Sequence, residues 1–453
     1  MFTQIQEKLY ICPGQTHPIS RSVHLSRLAA FYPACRDCPF RSETGQIPAR
    51  TVERLQQTEH RIERKSLLSH DGVRGIYLNE LNRKKAEQYA AAFAGLLWQQ
   101  SPLIGKRRSS RSTKKLQRSA PKRHSVVVGY DERPSSPDIV TGVATSLRKM
   151  GCHVIDIGIS TVPCFRFNVD HLQANAGIFV TGSGCDPSWT GLDFVTKNAV
   201  PLSAQCGTHS EEADIANSEL SLSQIENRMR LPISRPTRTA GLQRTFQGMV
   251  PYEAGLWKHF DALRPLKIAC GCPSRLIQRL LKKIFAKLPC ELLEVEIPQR
   301  ARNLLDPEDA DVKRVGEAVR ERNFDLGALI DDDSQRIGFL DEEGELIPAT
   351  EMTSTLAEFM RAEHAEGAIV LENTAWNALA PGIQTTGGIC IDGGTRQQSM
   401  YHTLQEHAAI FGGGDSSRYW FRESFPTCDA ILSLAKVLSL LSQSDAPFSE
   451  MVK

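Results

Sequence analysis

The stretch Val180-Thr181-Gly182-Ser183-Gly184-Cys185-Asp186-Pro187-Ser188-Trp189-Thr190-Gly191-Leu192-Asp193-Phe194 decides the fold. The apolar run before it, residues 176–180, predicts a buried strand, so Ser183 lies on a small-residue turn at the carboxyl end of that strand. Open α/β sheets place their ligands at this end. Small residues let a ligand approach the backbone, and such a turn can point several N–H groups at a phosphate. Ser183 is therefore a candidate nucleophile or phosphate carrier, and the alternative is a turn without chemistry.

The same stretch resembles the phosphoserine loop of the α-D-phosphohexomutases, the phosphoglucomutase and phosphomannomutase family. That loop reads Thr-Ala-Ser-His-Asn-Pro and then Asn-Gly-x-Lys, and it aligns here without a gap. The matching positions are Thr181, Ser183, Pro187 and Gly191. The family's His, Asn, first Pro, second Asn and Lys are replaced by Gly184, Cys185, Asp186, Thr190 and Asp193. The resemblance implies that Ser183 carries a phosphoryl group, with much of the surrounding chemistry lost.

Length and composition restrict the possible classes of protein. A chain of 453 residues is too long for one ordinary core, and its 41% apolar content is typical of a globular protein. No apolar run approaches the roughly 18 residues of a membrane span, and the amino terminus lacks a secretory signal, so a cytoplasmic protein is predicted. A net charge of +2 predicts no general attraction to nucleic acids or membranes. The 12 scattered cysteines favour thiols or metal ligands over disulfides.

Residues 1–65 predict a small cap rich in Cys and His, followed by a linker. The pair Cys35 and Cys38 forms a Cys-x-x-Cys knuckle, and Cys12 with one histidine would complete a tetrahedral zinc site. His17 is preferred over His24 as the fourth ligand because of its spacing from Cys12. The alternative is a cap with unpaired cysteines. Residues 51–65 predict an exposed helix or linker, and the cap is a candidate surface for a protein partner.

The first α/β unit is predicted over residues 66–235. Within 70–76, Gly72, Arg74 and Gly75 match the family's Ser-Gly-x-Arg-Gly, while Asp71 replaces the serine. A guanidinium suits phosphate oxygens, so the resemblance implies that Arg74 contacts phosphate. Arg133, in the turn 128–136, is implied to support a phosphate beside the serine; the alternatives for both are structural arginines.

A basic, serine-rich run occupies residues 105–124 within this unit. It lacks the apolar surface needed to fold and predicts a disordered loop. A nucleic-acid arm is the alternative, but the run has no interleaved aromatic residues, so nucleic acid is disfavoured as a partner.

The second unit is predicted over residues 236–345 and contains an acidic loop. A buried strand at 326–330 ends in Asp331-Asp332-Asp333-Ser334-Gln335-Arg336. Carboxylates two residues apart can converge on one hard cation, and the family's Asp-x-Asp-x-Asp-Arg loop binds magnesium. Asp331, Asp333 and Arg336 match, whereas Gln335 replaces the third aspartate. The implied Mg²⁺ ligands are Asp331, Asp333 and Gln335, at a weakened site; the alternative is a solvated acidic turn.

The third unit, residues 346–453, carries a loop similar to the family's Gly-Gly-Glu-x-Ser-Gly-His sugar loop. Gly412, Gly413 and Ser416 match it, while Gly414 replaces the glutamate that contacts sugar hydroxyls and Arg418 replaces the histidine. Ser416 and Arg418 are the implied substrate contacts. We expect the family's fourth domain, which holds a phosphate-binding loop, to be absent.

These observations predict three consecutive α/β/α phosphohexomutase-like domains behind an N-terminal Cys/His cap. Our first hypothesis is a phosphosugar-binding protein of carbohydrate phosphate metabolism whose mutase activity is weakened or lost, since lost contacts multiply in phosphoryl transfer. The alternative is an active intramolecular phosphotransferase, an isomerase, in which Ser183 carries the phosphate and Mg²⁺ assists.

Overall fold

The structure is a computed structural model that describes residues 9–13, 16–30, 32–35, 38–57, 66–100, 123–204, 220–424 and 427–452. Three β-sheets follow one another along the chain, with helices between their strands. This order confirms the predicted α/β class and its three successive units.

The first sheet has six strands. They are β1 (Val73–Ile76), β2 (Ser125–Tyr130), β3 (His153–Ile159), β4 (Ala176–Val180), β5 (Trp189–Thr196) and β6 (Gln243–Thr245), in the order β1-β5-β4-β2-β3-β6. Strand β5 runs antiparallel to both of its neighbours, and the other pairs are parallel. The turn that contains Ser183 therefore joins two adjacent strands of one hairpin. Because β6 pairs with β3, this sheet extends beyond the predicted boundary at residue 235.

The second and third sheets have four strands each. The second contains β7 (Lys267–Cys272), β8 (Glu291–Glu296), β9 (Leu326–Ile330) and β10 (Ile337–Leu340), in the order β10-β9-β7-β8. The third contains β11 (Ala368–Leu371), β12 (Ile389–Asp392), β13 (Phe411–Gly413) and β14 (Trp420–Phe421), in the order β12-β11-β13-β14. Each sheet is parallel except for one antiparallel edge strand, β10 or β14.

The helices lie in the intervals between these strands and in the N-terminal segment. In chain order they are α1 (Arg21–Ala29), α2 (Ala49–Gln57), α3 (Arg83–Gln100), α4 (Ser136–Lys149), α5 (Val162–His171), α6 (Leu222–Met229), α7 (Met249–Trp257), α8 (Arg275–Phe285), α9 (Ala310–Arg322), α10 (Ala349–Glu363), α11 (Trp376–Thr385), α12 (Gln397–Glu406), α13 (Ala430–Leu441) and α14 (Phe448–Met451). Within the described ranges, no helix combines the length and the apolar character that crossing a bilayer requires.

The second and third units share one hydrophobic core. Ile268 and Ala328 of the second sheet, Ile369 of the third, and Leu434 of α13 belong to a single cluster of buried side chains. Every residue of β9 is buried, which explains the uninterrupted apolar run that predicted it. The carboxyl end of β9 is therefore held rigidly where the acidic loop begins.

The N-terminal segment has a small core of its own around Leu28, Cys35 and Leu55. Part of the region predicted as a helix or linker forms α2, and residues 58–65 lie outside the described ranges. Almost all of the basic run 105–124 also lies outside them, so its predicted disorder stays a prediction.

Candidate functional site

Two loops from different sheets meet at Ser183. We call residues 181–188, between β4 and β5, the serine loop, and residues 331–336, between β9 and β10, the acidic loop. The Ser183 hydroxyl donates to Oδ2 of Asp333 at 2.5 Å. Ser183 is partly exposed, whereas Asp333 is buried. The structure thus brings together the hydroxyl and the carboxylate that the sequence predicted on separate sheets.

Carboxylates of the acidic loop accept hydrogen bonds from other side chains of the same loop. Arg336 forms an ion pair with Asp331, and although burial opposes ionisation, this guanidinium lowers the pKa of Asp331. The amide nitrogen of Gln335 donates to Oδ2 of Asp333 at 3.0 Å. The amide oxygen of Gln335 accepts from the Cys428 thiol at 3.5 Å. Gln335 therefore offers Asp333 an N–H where the family has a third carboxylate.

Arg133 locks the serine loop onto the acidic loop. Its side chain is fully buried and donates to Oδ2 of Asp332 at 2.7 Å and to the carbonyl oxygens of Cys185 and Asp186 at 2.9 and 2.8 Å. A Cβ at Gly182 would lie 2.8 Å from this guanidinium, so a glycine is needed there. Burial, and then the charge of Asp331, raise the pKa of Asp332 to about 7. Arg133 thus holds the serine loop in place from its buried side. Its side chain has no exposed surface that could contact a ligand.

Arg74 is also held by a carboxylate. It contacts Oδ1 of Asp193 at 2.5 Å, and its Nε donates to the carbonyl oxygen of Ser183 at 3.4 Å. Burial opposes the charge of Arg74, but Asp193 raises its pKa. Asp193 stands where the family has a lysine. This chain therefore has a negative charge in place of a positive one, and that charge pairs with Arg74.

Asp71, which replaces the family's serine, joins the first unit to the third. Its carboxylate accepts from the Ser203 hydroxyl at 3.2 Å and from Nε2 of Gln397, on α12, at 3.3 Å. Burial raises the pKa of Asp71, but the hydrogen bond from His70 and the charges of Arg418 and Arg166 outweigh it, so the pKa is lowered. Asp71 therefore stays ionised at the junction of the two units.

A carboxylate that the sequence did not reveal lies beside the loop after β13. We call residues 412–418 the glycine loop. Glu372 follows the neighbouring strand β11, and its two oxygens accept from the Ser416 hydroxyl at 2.6 Å and from the Ser416 N–H at 3.1 Å. A Cβ at Gly414 would lie 2.4 Å from Oε2 of Glu372. The carboxylate of Glu372 thus occupies the space next to Gly414, where the family's glutamate is missing. The only sequence signal is an acidic residue directly after a buried strand.

The glycine loop touches the acidic loop through its backbone. Ile337 donates its N–H to the carbonyl oxygen of Ser417 at 3.1 Å, and Arg336 and Arg418 form an antiparallel bridge. Burial raises the pKa of Glu372, and the hydrogen bond from Ser416 and the charge of Arg418 oppose this only in part. The acidic loop therefore contacts both the serine loop and the glycine loop.

The predicted metal ligands are brought together only in part. In the described part of the chain, no group of three or more His, Cys, Asp or Glu side chains is arranged to hold a metal ion. In the N-terminal segment, Cys12, Cys35 and Cys38 are buried, and burial followed by the charges of the other two raises the pKa of Cys35 to about 11. His17 is exposed, and Arg27 donates to the Cys12 sulfur at 3.0 Å. The zinc site with His17 stays a prediction that the arrangement does not support.

His24, the alternative zinc ligand, is buried in a different contact. Its ring stacks on Tyr10 with the centroids 4.1 Å apart, and its Nε2 lies 3.3 Å from the carbonyl oxygen of Glu43.

Comparisons with known proteins agree with this fold. Residues 65–218 match the model of phosphoglucomutase/phosphomannomutase, alpha/beta/alpha domain I. The chain is 25% identical over 335 residues to phosphohexose mutases of Xanthomonas campestris, covering 72% of this chain and 71% of that protein. It is 23% identical over 389 residues to a phosphoglucomutase/phosphomannomutase of Thermococcus kodakarensis, covering 84% and 78%. The crystal structure of a phosphoglucomutase/phosphomannomutase family protein from Burkholderia thailandensis has the same fold, with a TM-score of 0.69 at 20% identity over 86% of this chain and 80% of that one.

Proposed function

Because this chain belongs to the α-D-phosphohexomutase family, we propose that it binds a hexose phosphate in the cleft between the serine, acidic and glycine loops. The observation that carries the proposal is the contact between Ser183 and Asp333, which come from different sheets and are 150 positions apart. A hydroxyl and a carboxylate in contact at the ends of two sheets form the place where a phosphoryl group could be received.

Asp331 and Asp333 are the residues that would hold Mg²⁺. Both carboxylates are buried, and Ser183 adds an oxygen beside them, so the donors are the hard oxygens that Mg²⁺ prefers. Burial, and then the negative charge of Asp331, raises the pKa of Asp332, and a divalent cation would offset that negative charge. When bound, the ion would neutralise charge on a transferring phosphoryl group. Gln335 presents its amide nitrogen to Asp333, so we propose a weak site.

Turnover by this cleft is expected to be slow. The substitutions at Asp193, Gln335 and Gly414 remove a cation, an anion and the loop glutamate from positions that the family uses. Removal of one group that stabilises a transition state typically costs 10²–10³-fold in rate, and such losses multiply. We therefore propose a phosphosugar-binding protein with weakened mutase activity.

Glu372 is the group proposed to face the sugar hydroxyls. A carboxylate has about four acceptor sites, and Ser416 uses two of those on Glu372. The remaining sites can accept hydroxyl protons of a hexose. This carboxylate comes from β11 instead of the glycine loop, so the sugar would be contacted from a different direction.

The alternative function is a phosphotransferase in which Ser183 carries the phosphate. The short hydrogen bond from Ser183 to Asp333 favours it, because Asp333 is placed to take the hydroxyl proton. With glucose 1,6-bisphosphate as donor, Oγ of Ser183 would bond to a phosphorus atom. The P–O bond to the sugar would break, and a hexose monophosphate would leave.

Intact-mass spectrometry tests whether Ser183 accepts this group. The purified protein is incubated with glucose 1,6-bisphosphate and MgCl₂, and its mass is compared with those of Ser183→Ala and of the control Ser188→Ala, which changes another serine of the same loop. A gain of one phosphoryl group in the wild type and in Ser188→Ala, but not in Ser183→Ala, supports the phosphotransferase.

Two further readouts separate the binding protein from the enzyme. Calorimetric binding of glucose 6-phosphate without transfer of phosphate supports the binding function. Conversion of glucose 1-phosphate to glucose 6-phosphate at a rate typical of enzymes, about 1–10³ per second, would exclude weakened activity. Absence of both binding and phosphorylation would refute the proposed function.

A further inference from the structure

Two arginines at the junction of the first and third units form no ion pair with any residue that the structure describes. Arg166, in the middle of α5, is only 4% exposed, and its Nη2 donates to Oε1 of Gln397 at 2.5 Å. Its Nε is buried and has no hydrogen-bond partner. Arg418, in the glycine loop, is partly exposed, and its Nε is likewise buried and unpaired. Among the residues with described positions, no carboxylate lies within 4 Å of either guanidinium.

The other arginines of the cleft are different, because each has a carboxylate partner. These pairs are Arg74 with Asp193, Arg133 with Asp332 and Asp131, and Arg336 with Asp331. Each of these three arginines therefore has its charge compensated by a carboxylate of the protein. Arg166 and Arg418 are the exceptions, and they come from separate units.

The two guanidinium groups lie near common neighbours. Both lower the pKa of Asp71, and both act against the burial that raises the pKa of Cys428 to about 12. Gln397 connects Arg166 to Asp71, since its side-chain oxygen accepts from Arg166 and its side-chain nitrogen donates to Asp71 at 3.3 Å. Asp71 supplies one negative charge for two positive ones, and it is also in contact with His70 at 3.0 Å. Glu372 also lies near Arg418, but among the described residues neither Asp71 nor Glu372 forms a direct ion pair with either guanidinium.

A buried cation without a paired anion is costly, since burial removes its hydration. The cost is offset when the site receives an anion, and the planar guanidinium suits the oxygens of a phosphate. We propose that Arg166 and Arg418 bind the phosphate group of the hexose phosphate, with its free hydroxyls towards Glu372 and Ser183. This proposal rests on the proposed function and assigns the phosphate end of the substrate to residues of α5 and the glycine loop.

The placement of Glu372 supports this orientation. Ser416, whose hydroxyl and N–H donate to Glu372, is two residues from Arg418 on the glycine loop, so a site for phosphate adjoins a site for hydroxyls. A hexose phosphate carries both groups on one ring. The two sites together therefore favour a phosphorylated sugar over inorganic phosphate or an unphosphorylated sugar.

Isothermal titration calorimetry of the full chain with glucose 6-phosphate tests the proposal. The variants are Arg418→Gln, Arg418→Lys and Arg166→Gln, with Arg230→Gln as a matched control that removes one exposed positive charge. We expect Arg418→Gln and Arg166→Gln to weaken binding by about tenfold or more, because each removes a charge-assisted hydrogen bond. Arg418→Lys should restore part of the affinity, and Arg230→Gln should leave it unchanged.

A salt titration provides a readout that a merely structural role would not change. The wild-type affinity should fall with increasing NaCl, and it should fall less steeply in Arg418→Gln. Circular dichroism checks the fold of Arg166→Gln; Arg418 is partly exposed, so its variant tests the site even if Arg166→Gln does not fold.

The possible failures are distinguishable. If the wild type binds glucose 6-phosphate and Arg418→Gln binds it equally well with the same salt dependence, the arginine site is wrong and the proposed function stands. If the wild type binds neither glucose 6-phosphate nor glucose 1-phosphate, both the site and the proposed function are wrong.

Discussion

At the scale of single residues, Asp193 determines what Arg74 can contact. Both side chains are only 13% exposed, and they meet at 2.5 Å. Removal of one partner of a buried pair leaves the other charge buried and uncompensated, which costs about 3–5 kcal/mol. We therefore expect Asp193→Asn to lower the free energy of unfolding by about 3 kcal/mol, as measured by urea denaturation.

The control for this prediction is Glu308→Gln, which breaks a pair with Lys313 in which both side chains are exposed. It should leave the stability almost unchanged. In the double variant with Arg74→Gln the cost should be smaller than the sum of the single changes, because no uncompensated charge remains. Additive costs would show that the two residues act independently.

Single residues also show what the sequence could and could not predict. Ser183 and the acidic loop were predictable because each directly follows an apolar strand, and this signal is local. The pairing of Arg74 with Asp193 was not, since it spans 119 positions and depends on β5 lying beside β1. Arg166 was missed because an arginine within a helix has no local feature that distinguishes it from a surface residue.

At the scale of elements, the side chain of Glu372 fills the space that any side chain at position 414 would need. They follow the adjacent parallel strands β11 and β13, and a Cβ at position 414 would come within 2.6 Å of the Cβ of Glu372. We expect Gly414→Glu alone to destabilise the protein by about 1–3 kcal/mol through overpacking.

The double variant Glu372→Gly with Gly414→Glu should recover most of this loss and move the carboxylate to the glycine loop. Thermal unfolding measures the recovery, and calorimetry with glucose 6-phosphate measures whether the carboxylate still serves binding. A single Gly414→Glu variant as stable as the wild type would show that the two positions do not compete. The competition could not be predicted from the sequence, since it depends on which strands are neighbours.

The start of α13 predicts a pH dependence. Asp429 caps this helix, is buried, and accepts from the Tyr252 hydroxyl of α7 at 2.7 Å. Burial raises its pKa from 3.8 to about 6. Between these values the folded state holds a proton that the unfolded state has lost, so the contribution of Asp429 to stability falls as pH rises.

Asp429→Asn keeps a good helix cap and removes the titration. From pH 4.5 to pH 7 the free energy of unfolding of the variant should therefore rise relative to the wild type by about 2 kcal/mol. The control is Asp309→Asn at the cap of α9. Burial raises the pKa of Asp309, but its contact with Arg300 lowers it overall to below 3.8, so its contribution is lost only at more acidic pH and this variant should show no such rise from pH 4.5 to pH 7. Parallel pH profiles for the wild type and Asp429→Asn would contradict the prediction.

At the scale of the whole molecule, the units predicted from the sequence are less separate than their order suggests. The strand and helix rhythm predicted three units, and three sheets are present. Their boundaries were harder to place, because β6 crosses the predicted boundary at 235 to pair with β3. The sequence also gives no sign that the second and third units share a core, since hydrophobic periodicity shows that a face is buried but not against what.

The shared core predicts that the second and third units unfold together. Leu434 of α13 is fully buried in the cluster that also contains Ile268 of β7 and Ile369 of β11. Leu434→Ala should cost about 2–5 kcal/mol. Because the cavity would lie in a core common to both sheets, hydrogen exchange should accelerate together in β7 and β11, while β2 of the first sheet is affected less.

The matched control is Val128→Ala in β2. The Val128 side chain belongs to a separate cluster, so this substitution should affect mainly the first unit. Exchange that accelerates in β11 alone would show that the second and third units unfold independently. In that case the second unit alone would hold the acidic loop in position for the Ser183–Asp333 contact.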